Sequence, residues 1–208
     1  MSYLKTVLIV TLFALIAIGP ALGAEYVGSD VCGNCHKEIY NLWRDSAHSK
    51  ALIKAEDAIK AGYPMPAGVD PKNLQYTFMG KNLVIWIDKS GNIVRDQYKV
   101  GEKKWEPNVY REDKFSCALC HTTGYDSKGT MLTGSNPYQS GTWKFEGVGC
   151  ERCHGAGSEH AAGASKVNIK VDNSTELCGQ CHSQKAVTGL DPYRRYRNQY
   201  NDITQSKH

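Results

Sequence analysis

All eight cysteines of this chain lie in four copies of one pentapeptide. The copies are Cys32-Gly33-Asn34-Cys35-His36, Cys117-Ala118-Leu119-Cys120-His121, Cys150-Glu151-Arg152-Cys153-His154 and Cys178-Gly179-Gln180-Cys181-His182. Two thiols three positions apart reach the two vinyl groups on one edge of a porphyrin. The histidine that follows is then delivered to the iron as proximal ligand. C-x-x-C-H is thus the signature of covalent haem c attachment. Paired C-x-x-C units also make four-thiolate zinc sites, and eight cysteines in an exported chain also make four disulfides. Neither alternative needs a histidine after every second cysteine. With 7 histidines in 208 residues, four chance placements are expected about once in a million such sequences. The chemistry to expect is four covalently held haems c.

Histidine supply is the next informative feature. His36, His121, His154 and His182 are the proximal ligands, which leaves His48, His160 and His208 for four distal positions. Sharing between identical subunits moves histidines without raising their number per haem, so one haem is expected to lack a distal histidine. His48 follows His36 by twelve residues, and an intervening helix at about 1.5 Å per residue carries it up to ~18 Å away. It is expected on a different haem. His160 follows His154 through Gly155-Ala156-Gly157, too short a loop to wrap a porphyrin edge and return to the same iron. It too is expected to serve a neighbour. His208 is the last residue, and ligation would tie down a tail that otherwise frays. Thioether ligation by Met65, Met79 or Met131 would fill the fourth position, or it is open to a small molecule.

The elements that must position these groups are less plainly written. Residues 1–24 read as a signal peptide: Lys5, an apolar run from Thr6 to Gly19, Pro20, then small residues at Ala21-Leu22-Gly23-Ala24. That run is shorter than the ~20 residues of a membrane-spanning helix, and no later segment spans a membrane. Residues 25–208 are expected to form a single domain, with roughly 46 residues for each haem. So few residues cannot enclose every cofactor in side chains, so the porphyrins are expected to be the core. Twenty glycines and a mean hydropathy of −0.47 agree with a loop-rich wrapping chain. The expected fold is mainly α with low regular secondary structure and one β-hairpin, wrapped around four closely spaced haems. Leu83 to Ile87 and Asn92 to Tyr98 flank Asp88-Lys89-Ser90-Gly91 and read as that hairpin. It belongs to an insert at about 74–100, in which Trp86 or Tyr98 is expected either to cover a haem face or to take part in ordinary packing. Short helices are expected at 37–44, 48–61 and 176–186, and loop at 122–147. In the tail from Tyr193 to Tyr200, bases alternate with aromatics, which reads as propionate and porphyrin-edge contacts.

Formal charge is +4, and each ferric haem with both propionates ionised adds about −1, so the loaded protein sits close to neutral. The basic balance of the bare chain is therefore no argument for nucleic-acid binding.

The motifs and their flanks resemble the cytochrome c554 family of tetrahaem electron carriers. The matching stretches are Tyr26-Val27-Gly28 with Cys32-x-x-Cys35-His36 and Trp43-x-x-Ser46-x-His48; Cys117-x-x-Cys120-His121-Thr122-Thr123-Gly124; and Gly147-Val148-Gly149-Cys150-Glu151-x-Cys153-His154-Gly155-Ala156-Gly157-Ser158-x-His160. The family usually has Gly-Pro-Gly where this chain has Gly155-Ala156-Gly157. The resemblance implies three bis-histidine haems and one five-coordinate haem, with His48 and His160 as distal ligands and the haem of His121 as the unfilled one. It also implies kinship with tetrahaem subunits of extracellular cytochrome filaments. The expected function is electron transfer between redox partner proteins in the periplasm or outside the cell, by an electron carrier more than an enzyme. Self-association into a conducting filament and reduction of a small molecule such as nitric oxide are the alternatives.

Overall fold

The computed structural model of the chain describes residues 23–79, 83–108, 117–130, 140–182 and 199–204. The signal-peptide run, Met131, the tail from Tyr193 to Asn198 and His208 lie outside the described residues. Among the described residues, no helix is long and apolar enough to cross a membrane.

The chain opens with two short helices, α1 (Ser29–Gly33) and α2 (Lys37–Arg44). Strand β1 (Ile53–Lys54) and helix α3 (Ala55–Lys60) follow, and a 3-10 turn at Pro71–Asn73 leads into β2 (Leu74–Met79). Strands β3 (Leu83–Asp88), β4 (Ile93–Lys99) and β5 (Lys104–Pro107) complete an antiparallel sheet in the order β1-β2-β3-β4-β5. The second half is built from α4 (Ala118–His121), β6 (Thr122–Thr123), β7 (Asp126–Thr130), β8 (Ser140–Thr142), β9 (Phe145–Glu146), α5 (Cys150–His154), α6 (Ser158–Gly163), α7 (Thr175–His182) and α8 (Gln199–Thr204). Strand β6 pairs with β9, and β7 with β8.

The β3–β4 turn forms where the sequence predicts it. The Asp88 carboxylate accepts from the backbone N–H of Ser90 and Asn92, each at 2.8 Å, and Gly91 takes φ 75°. An aspartate folding back on its own chain, followed by a glycine in the left-handed region, closes this turn without strain.

A mainly α fold with one hairpin is corrected by the five-stranded sheet. The reason lies in where the motifs are absent. The stretch from Ile53 to Pro107 carries no haem motif, so it must bury its own apolar side chains to be stable. Alternation along β3 does this on both faces. Val84 and Trp86 pack against Ala55 and Ala58 of α3, and Ile87 packs on the other side against Leu52 and Ala118. Trp86 is fully buried, and its indole N–H donates to the Pro64 carbonyl at 2.9 Å. The porphyrins are thus not the whole interior.

Several smaller expectations change with it. The helix expected at 48–61 is confined to Ala55–Lys60, because β1 precedes it in pairing with β2. The segment expected as loop at 122–147 holds β6 to β9. Trp86 and Tyr98 lie against the α3 cluster, with Tyr98 edge-on to Trp105 at 5.3 Å. Besides Ile87, the sheet residues Tyr76 and Phe78 reach the second motif, in one cluster with Cys117 and Ala118. Met65 and Met79 belong to the cluster of Trp86.

Candidate haem centres

Each C-x-x-C-H motif sits on a helical turn, and the turn presents both sulfurs and the imidazole together. The His36 amide donates to the Cys32 carbonyl at 2.9 Å, and the His121 amide to the Cys117 carbonyl at 3.1 Å. Motif three is α5 itself, and motif four ends α7. None of the eight cysteines is in a disulfide. Among the described residues, no three cysteines, histidines or carboxylates converge as a metal site would require.

The histidines converge in pairs. The ring centres of His36 and His160 are 6.2 Å apart with planes inclined by 17°, and those of His48 and His182 are 6.3 Å apart at 56°. Two imidazoles bound on opposite sides of one metal ion by bonds of about 2 Å, with about 1.1 Å from each nitrogen to its ring centre, would have ring centres about 6.2 Å apart. Both pairs have the spacing of two axial ligands on one iron. His48 thus faces His182 of motif four, and His160 faces His36 of motif one.

In His121, His154, His160 and His182 one imidazole nitrogen is held by the protein. Nδ1 of His121 faces the Ala51 carbonyl at 2.7 Å, Nδ1 of His154 the Lys170 carbonyl at 2.7 Å, and Nδ1 of His160 the Ser165 carbonyl at 2.9 Å. Nδ1 of His182 faces the side-chain oxygen of Gln199 at 3.1 Å. A nitrogen facing an oxygen acceptor must carry the proton, so Nε2 keeps its lone pair. This is the tautomer and orientation a metal ligand requires. Burial lowers the pKa of His48, and the neighbouring His182 adds to the effect, which keeps its ring neutral and able to ligate.

Three further groups lock the motifs to one another, and the motifs alone did not point to them. Helix α1 packs on α5, and α4 on α7. Glu151 lies between the two cysteines of motif three and is 2% exposed. Its carboxylate accepts from the amides of Val27 at 2.9 Å, Gly28 at 2.7 Å and Gly157 at 2.8 Å. It clamps the segment before motif one and the loop before His160. Arg152, the next residue, donates to Gln180 Oε1 at 3.2 Å and approaches the Leu119 carbonyl at 3.5 Å, so it spans motifs two, three and four.

Thr123 completes the set. Its hydroxyl donates to the Gly147 carbonyl at 2.8 Å and accepts from the Gly149 amide at 2.8 Å. Gly147 has φ 74°, and a Cβ there would lie 2.7 Å from the Ser49 carbonyl oxygen. Only glycine lets this strap pass so close to the His48 segment, where the Val148 amide donates to the His48 carbonyl at 2.9 Å. Thr123→Val keeps the shape and deletes both bonds, leaving a buried amide and carbonyl unpaired. It is expected to lower stability by about 2 kcal/mol, measured as a reduced midpoint in urea.

The thiols report which motifs adjoin. In the haem-free chain, burial pushes the Cys32 thiol up to about 11, with the nearby Cys150 and Glu151 adding to the shift and a Cys150 hydrogen bond in reach. Cys181 is drawn down to about 6, first by its hydrogen bond with Cys120, against burial, with Arg152 and His182 helping. Motif one thus touches motif three, and motif two touches motif four.

These residues fit covalently bound haem. Sulfur pairs and paired or hydrogen-bonded imidazoles occur together. Beside the first motif, Ile39 is 65% exposed and Leu42 78%, both on α2, which follows His36. Apolar side chains this exposed beside an attachment motif are placed to be covered by a flat apolar ring.

The chain is similar to known cytochromes. Cytochrome c-554 of Nitrosomonas europaea is 27% identical over 137 residues, covering 66% of this chain and 41% of that protein. The chain thus spans about two fifths of the length of this relative. The undecahaem cytochrome from the S-layer of Carboxydothermus ferrireducens shares the fold with a TM-score of 0.63 and 23% identity, over 79% of this chain and 26% of that one. The outer cell wall cytochrome OcwA matches with a TM-score of 0.58 and 26% identity, over 76% of this chain and 37% of its own. The family model for cytochrome c554 and c-prime matches residues 31–78 and 89–155, and the chain belongs to that family of multihaem c-type cytochromes, which hold haem c covalently.

Proposed function

We propose that this protein is an exported electron carrier holding four haems c, with at least two of them ligated by two histidines each. The observation that carries the proposal is the pair of imidazole separations, 6.2 Å for His36 with His160 and 6.3 Å for His48 with His182. Cys32 and Cys35 with His36 would hold the first haem, Cys117 and Cys120 with His121 the second. Cys150 and Cys153 with His154 would hold the third, and Cys178 and Cys181 with His182 the fourth. When bound, haem supplies a one-electron iron couple whose potential the protein tunes through ligand identity, burial and hydrogen bonding. Two protein ligands leave such an iron no site for substrate, which favours carriage over catalysis.

The contacts between motifs support close haem spacing. The attachment edges of the first and third haems adjoin at Cys32 and Cys150, those of the second and fourth at Cys120 and Cys181, and Arg152 links the two sets. For the haems of His121 and His154 one further histidine remains in this chain, His208. Export beyond the cytoplasmic membrane is supported by the relatives named for an S-layer and an outer cell wall. Redox partner proteins follow from the function.

Intact-mass spectrometry and low-temperature EPR of the oxidised protein test the proposal together. The mass must exceed that of the polypeptide by four haems, and the spectrum must contain at least two low-spin ferric species. A polypeptide without added mass, or a wholly high-spin spectrum, would sink it. A high-spin component that shifts on adding nitric oxide would show one iron open to a small molecule.

A further inference from the structure

One cavity among the described residues lies beside the five-stranded sheet. It is an open groove of about 690 Å³ between α3, the 3-10 turn and β2. Four lysines line it, Lys54, Lys60, Lys72 and Lys89, against one carboxylate, Glu56. All four lysines are exposed, and among the described residues none of them makes an ion pair, whereas Lys99, Lys104 and Lys170 all do. The groove therefore carries a net charge of about +3 in a loaded protein whose overall charge is close to zero.

Its floor leads toward a haem motif. Tyr76 lines the groove, and the same residue packs in the cluster of Cys117 and Ala118, edge-on to Trp143 at 5.8 Å. Tyr76 thus belongs both to the groove and to the cluster that contains the second attachment site.

We propose that this lysine groove is the docking surface for an acidic electron-transfer protein, which exchanges electrons through the haem of Cys117, Cys120 and His121. The inference rests on the haem reading above. A protein surface fits better than a small anion, because no buried polar side chain points into the groove to replace an ion's hydration. A patch of aspartates and glutamates engages several solvated ammonium groups at once and gains chiefly in encounter rate. The step is simple: one electron passes from the reduced partner to one ferric iron, and no atom changes place.

The test uses the haem-loaded protein, with fully reduced flavodoxin as an acidic one-electron donor and stopped-flow mixing. Two double variants are compared, K60E/K72E in the groove and K103E/K104E at the far edge of the sheet, which change net charge equally. Haem content and absorption spectra are checked first, so missing haem reveals a failure of the functional reading before any rate is measured. In low salt, K60E/K72E is expected to slow haem reduction about tenfold, and K103E/K104E by less than about twofold. The difference should vanish near 0.5 M salt, where the screening length falls to about 4 Å. Equal slowing by both variants, or no slowing by K60E/K72E, overturns the proposal. So does a loss with inorganic ferricyanide as oxidant as large as that with flavodoxin, since this would mark a small-anion site.

Discussion

Replacing His160 by alanine in the haem-loaded protein is expected to convert one low-spin ferric haem completely to a high-spin one. His160 sits 6.2 Å from His36 in ring-centre distance, and its Nδ1 is held by the Ser165 carbonyl. The held ring cannot be replaced by a neighbour without moving the loop that ends α6. His48→Ala should convert a second haem by the same argument, through His182. The two losses should be spectroscopically distinct. Near-parallel imidazole planes split the iron d orbitals that accept their π density, while strongly inclined planes leave them closer in energy. The 17° pair should therefore contribute a rhombic EPR signal and the 56° pair a more axial one. H160A should remove the first and H48A the second. His160→Met should retain six-coordination and raise the potential of that haem. If H160A leaves every low-spin signal intact, His160 is not an axial ligand and the pairing is wrong.

The ligand geometry was half legible in the sequence. The pentapeptides announced the attachment sites, because thioether chemistry demands a rigid local spacing. That His48 and His160 would lie near motifs other than their nearest was expected from chain length alone. Which motif's histidine each faces was not, because it depends on how α1 packs on α5 and α4 on α7, and those contacts are non-local. The sheet shows the same division. The turn at Asp88 to Gly91 was readable because aspartate and glycine act locally. Strands β1, β6 and β9 were not, since each is two residues long and shows no alternation. Their pairing is imposed by neighbours, as where Thr122 and Thr123 lie opposite Glu146 and Phe145. The error about the core came from dividing the chain evenly among four haems, when one contiguous stretch has no motif at all.

Glu151 carries the second large prediction, and it shows why a residue between two cysteines matters beyond attachment. Three backbone amides from two distant segments aim at one buried carboxylate. Hydrogen bonds to a charged acceptor each contribute about 1.5–3 kcal/mol, and a donor left buried without a partner costs about 1–3 kcal/mol. These terms are coupled within one network and do not simply add. Glu151→Ala is expected to destabilise the protein by about 4 kcal/mol. Glu151→Gln should lose about half as much, because its amide group faces at least one donor while its oxygen still serves others. Guanidinium unfolding followed by circular dichroism reads both values. The clamp also fixes Val27 and Gly28 ahead of motif one and Gly157 ahead of His160, so it sets both partners of the 6.2 Å pair. Before global unfolding, Glu151→Ala should therefore broaden the rhombic low-spin signal of that haem and leave the more axial signal of the His48 and His182 pair sharp. Equal broadening of both signals would mean that Glu151 stabilises the whole protein without positioning this site.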